Sequence, residues 1–125
     1  MPRAPAATDP FLARPGSALV LGLLADKWTI PVIHALARGT RRTGELRRGL
    51  AGVSQKVLTQ TLRRLEAHGL VERTVHPEVP PRVEYALTAL GRSLDEPLAR
   101  ICAWVERHGG ALQRARGRAG GASPR

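Results

Sequence analysis

Five hydrogen-bonding side chains follow Ser54 at intervals that would place them on one face of a helix. They are two glutamines, a lysine, a threonine and an arginine: Gln55, Lys56, Thr59, Gln60 and Arg63. Such side chains read base edges in the DNA major groove, where glutamine suits adenine, lysine suits guanine and threonine offers both a hydroxyl and a methyl group. We therefore expect these five residues to contact bases. An ordinary solvent-exposed polar face is the alternative interpretation.

Positive charge is concentrated around this stripe. The chain of 125 residues has 20 Lys and Arg against 10 Asp and Glu, a formal net charge of +10. Residues 38–65 contain eight of the basic residues and a single acid, Glu45, so this segment carries +7. That concentration is typical of a polyanion-binding protein and favours double-stranded DNA as the partner, although an Arg-rich surface that is merely solvated remains the alternative. The predicted phosphate-contacting residues are Arg41, Arg42, Thr43, Ser54 and Arg64.

Two short helices would position these side chains. Thr43 is the predicted N-cap of a helix over 44–50, and Ser54 that of a longer helix over 54–68. The longer helix would bury Val57, Leu58, Leu62 and Leu65 and turn its polar stripe outward. The turn at 51–53 between them contains a glycine, so the pattern is that of a helix-turn-helix. Any antiparallel helix pair can produce a similar pattern.

A hairpin is predicted directly after the second helix. Residues 70–76 and 82–88 alternate apolar and polar positions with a period of two, as half-buried strands do. The prolines between them make the loop stiff and exclude a helix. A hairpin in this place is a wing, and His76 and Arg82 at its ends could contact a minor groove or phosphates. The alternative is that these two side chains only solubilise the end of the hairpin.

Further helices are predicted on both sides of this unit. Ser17 is a candidate N-cap for a first helix and Asp26 for a second. Pro31 lies near the fifth position of the second helix, so we expect a local adjustment there or a helix that starts later. Thr88 would cap a long final helix that runs to residue 112, and Pro97 should kink it.

The fold class that follows is mainly α with a small two-stranded antiparallel β wing. Residues 17–112 would form this winged helix-turn-helix domain, between a flexible N-terminal arm at 1–16 and a disordered basic tail at 113–125. The terminal helices carry more apolar surface than so short a chain can cover, which predicts a homodimer with one recognition helix per chain. Its predicted interface residues are Leu19, Val20, Leu23, Leu98, Ile101 and Val105.

Other classes of protein are disfavoured by what the sequence lacks. The four histidines are dispersed, without partners at metal-ligand spacing, and there is no Gly-rich phosphate loop or nucleophile elbow. We therefore expect no catalysis, metal or cofactor. No apolar run reaches the roughly 20 residues of a membrane span, the start of the chain has no signal-peptide core, and a lone cysteine forms no internal disulfide. These features predict a soluble, cytoplasmic protein.

Three motifs carry a family resemblance: DKW at 26–28, SQKVLTQTLRRLE at 54–66 and YALTALG at 85–91. They make most of residues 18–107 resemble the HxlR-type winged helix-turn-helix transcriptional regulators. The resemblance implies a bacterial homodimer that pairs through its terminal helices and engages operator half-sites with a recognition helix and wing from each subunit. Many such proteins sense oxidants through a cysteine about thirteen residues before the tryptophan, where this chain has Pro15. Cys102 is expected to be a buried packing residue, with a redox switch as the alternative.

The predicted function is that of a sequence-specific DNA-binding transcriptional regulator. It would be a homodimeric repressor that reads operator half-sites with helix 54–68 and a wing at 76–82. A small-molecule effector, if there is one, would bind between the second helix and the dimer helices beside Trp28 and Trp104, although both are more simply core or interface residues. The alternatives are a nonspecific architectural nucleic-acid-binding protein and a winged-helix protein-interaction module.

Overall fold

The computed structural model describes residues 10–120 of the chain. Within this range six helices and three strands follow one another in the order α1 (Pro10–Ala13), α2 (Ser17–Leu24), α3 (Thr29–Leu36), β1 (Arg41–Arg42), α4 (Thr43–Gly49), α5 (Gln55–Ala67), β2 (Val71–His76), β3 (Arg82–Leu87) and α6 (Ala89–Gly120). Helices α4 and α5 form the predicted helix-turn-helix, and the β2–β3 hairpin follows as the wing. The predicted fold class, mainly α with a small antiparallel sheet, is confirmed.

The start of the chain differs from the predicted flexible arm at 1–16. Residues 10–13 form the short helix α1, whereas residues 1–9 lie outside the described residues. Ser17 does not cap α2, because the residue before the helix is Gly16, which has a φ of +88°. The Ser17 hydroxyl instead donates a hydrogen bond to the Phe11 carbonyl, which ties α1 to α2.

Helix α3 begins at Thr29, later than a cap at Asp26 predicts. Pro31 therefore falls in the first turn, where an N–H has no partner within the helix and its absence leaves no bond unmade. This is the later start that the proline favours. Asp26 still stabilises the entry to the helix, since its Oδ1 accepts a hydrogen bond from the Trp28 backbone N–H at 2.9 Å.

The sheet has three strands rather than the two predicted. Its order is β1-β3-β2 with antiparallel pairing throughout, and Arg41 lies opposite Tyr85 while Arg42 lies opposite Glu84. Two residues are too few for an alternating pattern to be visible in a sequence, which is why β1 was missed. Arg42, the last residue of β1, is also the N-cap of α4, a position that was predicted for Thr43. Its backbone N–H donates to Glu45 Oε1 at 2.8 Å.

The hydrophobic core lies between α3, α5 and the sheet. Side chains from every element except α1 and β1 contribute to it, and burial of this apolar surface is the main driving force of folding. Its buried members are Leu23, Val32, Ile33, Leu36, Leu46, Val53, Leu58, Leu62, Leu65, Leu70, Val71, Tyr85, Leu87 and Leu98.

Helix α6 extends beyond its predicted end. The sequence predicts a helix to residue 112 and a disordered tail at 113–125, but α6 continues to Gly120, and only residues 121–125 lie outside the described part. Alanine and arginine, which alternate in this stretch, are strong helix formers, and that propensity outweighs the two glycines. Thr88 caps α6 as predicted, since its Oγ1 accepts a hydrogen bond from the Gly91 N–H at 3.0 Å.

Between residues 10 and 120, no single helix is both long enough and apolar enough to cross a membrane. Helices α2 and α3 together reach the required length and composition, but they are bent by 94° against each other.

Candidate nucleic-acid interface

Helix α5 has two faces of opposite character. Leu58, Leu62 and Leu65 on one face have at most 1% of their surface exposed, so they anchor the helix to the core. Ser54 begins the helix as predicted, because its side-chain oxygen accepts a hydrogen bond from the Val57 N–H at 3.1 Å. The turn before it contains Gly52 at a φ of +91°, a conformation that favours glycine. The cap and the leucines together determine which side chains point outward.

The five predicted base-contacting residues lie on the outward side of α5. Gln55, Lys56, Gln60 and Arg63 are exposed, and Thr59 is half-buried. Beside them is an open cleft of about 390 Å³ between α5 and the sheet, whose lining residues include Thr43, Gln55, Thr59, Arg63, Arg73 and Tyr85. The structure therefore brings the predicted stripe together on one accessible surface.

Arg47 on α4 belongs to this surface and was missed by the sequence analysis. Its Nη1 donates a hydrogen bond to Gln55 Oε1 at 3.4 Å. The contact directs the amide oxygen of Gln55 toward α4. Only the angle between α4 and α5 brings these two residues together, and no local pattern in the sequence reveals it.

The residues that lead into α4 are placed at the edge of the same surface. Arg42 and Ser54 are exposed, while Arg41 and Thr43 are half-buried. Arg41 Nη1 donates to the Thr40 carbonyl at 3.0 Å, a contact with the preceding residue's backbone that leaves the positive charge unpaired by any acid within residues 10–120. These four predicted phosphate-contacting residues thus remain available.

Arg64, the fifth, is already paired within the protein. Its Nη1 lies 2.6 Å from Asp26 Oδ2, in an ion pair that crosses from α5 to the turn between α2 and α3. The same oxygen accepts a hydrogen bond from Thr61 Oγ1 at 2.9 Å. Arg64 as a phosphate contact therefore stays a prediction, but its guanidinium already has an acidic partner, 38 residues away in sequence, that no local pattern reveals.

The two wing residues are also engaged within the protein. His76 Nε2 lies 2.9 Å from Glu84 Oε1, and Arg82 contacts Glu84 at 3.1 Å and Glu78 at 3.0 Å. The hydrogen bond with His76 and the charge of Arg82 hold the pKa of Glu84 below its ordinary value, against a smaller opposing effect of burial. Neither predicted wing contact is a free side chain, because pairing across the hairpin supplies carboxylates that the loop sequence alone does not reveal.

Comparison with known proteins agrees with this geometry. Residues 23–113 match the HxlR-like helix-turn-helix family. The chain belongs to this family. It is 53% identical over 79 residues to sll1512 of Synechocystis, named as an uncharacterized HTH-type transcriptional regulator, and the match spans 63% of this chain and 58% of that protein's length. It is 44% identical over 88 residues to YtcD of Bacillus subtilis, which has the same type of name, and here the match spans 70% of each chain.

Solved structures of related proteins share the fold. The redox regulator HypR in its reduced form has a TM-score of 0.72 at 35% identity, covering 78% of this chain and 96% of HypR. The reduced transcriptional regulator YodB of B. subtilis has a TM-score of 0.66 at 34% identity, covering 75% and 92%. The winged helix-turn-helix assignment made from the sequence is confirmed.

The terminal helices of this HxlR-like chain expose only part of the predicted dimer surface. Leu23 and Leu98 do not lie on this surface as predicted, because they are 4% and 3% exposed and belong to the core of the single chain. Val20 is half-buried, whereas Leu19, Ile101 and Val105 are 58%, 43% and 52% exposed. Other large apolar side chains on the same helices are also exposed, namely Leu21, Leu90, Trp104 and Leu112.

The lone cysteine and the two tryptophans all remain at least partly exposed. Cys102, on α6, is a free thiol that is half-buried rather than buried. Trp28 packs against the edge of the core, while Trp104 is half-exposed with its ring centroid 5.0 Å from that of His108. Among residues 10–120, no three His, Cys, Asp or Glu side chains cluster so as to hold a metal ion.

Proposed function

We propose that this HxlR-like protein is a sequence-specific DNA-binding transcriptional regulator that acts as a homodimeric repressor. The observation that carries the proposal is the exposed face of α5. Its hydrogen-bonding side chains begin at the capped N-terminus and continue along the outward side of the helix. The opposite side of the helix is buried in the core. The first residues of a recognition helix are the ones that meet base edges in helix-turn-helix proteins.

Phosphate contacts would come from the segment just before α4. Arg41 and Arg42 lie at the edge of the sheet, and Thr43 begins α4, beside the cleft that α5 lines. Phosphate contacts set the register of a protein on the duplex, whereas base contacts select the sequence. The two groups of residues therefore have separable effects on binding.

The repressor part of the proposal rests on operator occupancy, because a protein bound to an operator blocks access to the DNA beneath it. A homodimer is supported by the exposed apolar side chains of α2 and α6, and a two-fold axis would present two recognition helices to a palindromic operator.

A gel-shift titration tests the proposal on the intergenic DNA upstream of the protein's own gene, with a random duplex as the competitor. Replacing Gln55, Thr59 and Gln60 together by alanine should reduce the preference for operator at least tenfold, because each good base contact contributes about 1–3 kcal/mol of discrimination. Gln113→Ala, at an exposed glutamine of α6, is the matched control and should leave the preference intact.

A second arm of the same titration separates phosphate from base contacts. Arg41→Ala and Arg42→Ala should weaken binding to operator and to random duplex alike. Each should also reduce the slope of log affinity against log salt by about 0.9 for each phosphate that the arginine binds in the wild-type complex. If the wild-type protein binds both duplexes equally, it is an architectural protein; if it binds neither, the winged helix docks another protein.

A further inference from the structure

We infer that Asp26 increases the preference for operator over random DNA by withholding Arg64 from the phosphate backbone. Asp26 would then be a positioning residue that acts through Arg64 without touching DNA. This inference rests on the proposed function, in that it assumes that α5 faces DNA.

The Asp26 carboxylate accepts hydrogen bonds from three donors. Oδ1 accepts from the Trp28 backbone N–H, while Oδ2 accepts from Thr61 at 2.9 Å and from Arg64 at 2.6 Å. The Asp26 side chain is 14% exposed, so little water competes for these bonds. Two of the three donors are on α5, so this one side chain holds the recognition helix against the turn between α2 and α3.

Arg64 is the end of this arrangement that DNA could reach. Its side chain is 45% exposed, and it shares an open cleft of about 410 Å³ with Asp26, Val57 and the predicted base-contacting Gln60. The preceding residue, Arg63, is exposed, and no ion pair engages it among residues 10–120. Neighbouring arginines on one helix are therefore in opposite states, one free and one neutralised.

A neutralised Arg64 favours specific over nonspecific binding. Phosphate contacts carry no sequence information, and they supply essentially all of nonspecific affinity. In a nonspecific complex no base contact determines the register, so a freed guanidinium can shift to reach a phosphate. In the specific complex the base contacts already determine where α5 lies. Freeing Arg64 therefore strengthens binding to random DNA more than binding to operator.

The test measures salt dependence with the full chain on a short random-sequence duplex, by fluorescence anisotropy. Asp26→Asn keeps the size of the side chain and an oxygen that can cap Trp28, but loses the charge that holds Arg64. We expect the salt slope to become steeper by about 0.9, the value of one added phosphate contact, and random-duplex affinity at low salt to rise several-fold. The double variant Asp26→Asn with Arg64→Gln should return the slope to its wild-type value.

Single arginine variants keep the inference testable even if Asp26→Asn does not fold. Arg42→Gln, at a predicted phosphate contact, should reduce the wild-type slope, whereas Arg64→Gln should leave it unchanged. The inference is overturned if Arg64→Gln reduces the slope as much as Arg42→Gln does, or if a folded Asp26→Asn variant leaves the slope unaltered. A merely structural role would weaken binding without making the slope steeper.

The wild-type protein separates this inference from the proposed function. Equal affinity for operator and random duplex would contradict sequence-specific regulation, whatever the slopes of the variants. A clear operator preference with unchanged variant slopes would contradict only the role of Asp26.

Discussion

Gly91 allows the final helix to pack closely against the backbone at the start of the wing. It lies buried in the first turn of α6, and a Cβ at this position would overlap the Leu70 carbonyl oxygen and lie 3.1 Å from the carbonyl carbon. The same carbonyl accepts a hydrogen bond from the Thr88 N–H at 3.0 Å, and the Thr88 hydroxyl donates to the Gly69 carbonyl at 2.6 Å. The YALTALG motif therefore has a packing reason: α6 must approach the backbone where β2 begins.

Gly91→Ala should destabilise the protein by about 1–3 kcal/mol, the usual effect of forcing an extra carbon into a packed site. The backbone at Leu70 would have to move, since the obstructing atoms belong to the main chain. The free energy of unfolding from urea denaturation, at one fixed protein concentration, measures the effect.

Gly117→Ala is the matched control, because Gly117 lies in the same helix and a Cβ there would have no atom within 4 Å. There the substitution should stabilise the helix by up to about 1 kcal/mol through its higher propensity. Equal effects of the two substitutions would show that close packing at Gly91 is not what requires the glycine.

The wing, as an element, is held by charges that pair across the hairpin. His76 and Arg82 face each other in the register of β2 and β3, and both reach Glu84, with Glu78 as a further partner of Arg82. A third strand extends this hairpin, because β1 pairs with the outer edge of β3. The charged side chains at the end of the wing thus pair with one another, whereas Arg41 on β1 and Arg63 on α5 have no ion-pair partner among residues 10–120.

Glu84 makes wing stability depend on pH. Its pKa is lowered in the folded protein by the hydrogen bond with His76 and by Arg82, so its stabilising effect is present above the ordinary glutamate pKa. The effect is lost as the pH falls through the lowered pKa. Glu84→Gln should therefore reduce the melting temperature at neutral pH, and the difference from wild type should close on acidification below about pH 4, near the ordinary glutamate pKa.

Glu96→Gln is the control for that titration. Glu96 pairs with Arg100 on α6, but both side chains are more than three-quarters exposed, at 77% and 78%, where ion pairs contribute little. A melting temperature of Glu84→Gln that runs parallel to wild type at every pH would show that the wing pairs do not stabilise the fold.

At the scale of the whole molecule, α6 carries apolar side chains that residues 10–120 of a single chain leave exposed. Leu94 packs against the core and Leu98 is buried in it, but the same stripe continues outward through Ile101, Val105 and Leu112, which are all exposed. Exposed apolar stripes of this kind mark interaction surfaces. A second copy of the chain is the occupant that the proposed homodimer requires.

Val105→Asp should convert the dimer to a monomer, because a carboxylate in the middle of an apolar interface loses its hydration. Light scattering after size-exclusion chromatography would show the mass fall from two chains to one. Ala103→Asp, on the opposite side of the same helix and also exposed, should leave the mass unchanged. A monomeric wild-type protein, or equal masses for both variants, would contradict this interface.

Local patterns were sufficient for the parts of the protein whose signals lie within a few residues. The Ser54 cap, the leucine spacing of α5 and the presence of strands β2 and β3 have short-range signals, and each was predicted correctly. The predicted half-buried face of β2 is not observed in full, because Val75 is 48% exposed. The exposed polar face of α5 follows from the same spacing, because the side that is not buried must face outward. Element ends were less certain: α3 begins later, α4 begins one residue earlier and α6 ends later than predicted.

The sequence by itself thus determined a winged helix-turn-helix and the side chains that α5 displays on its outward face. Only the tertiary structure decided which charges are free, because neutralisation depends on partners distant along the chain, as with Asp26 and Arg64. It likewise decided which apolar residues are core, since Leu23 and Leu98 share their periodic stripes with exposed neighbours. The spacing of apolar residues predicts which side of a helix packs inward. How much of that side is buried depends on how far the other elements extend over it.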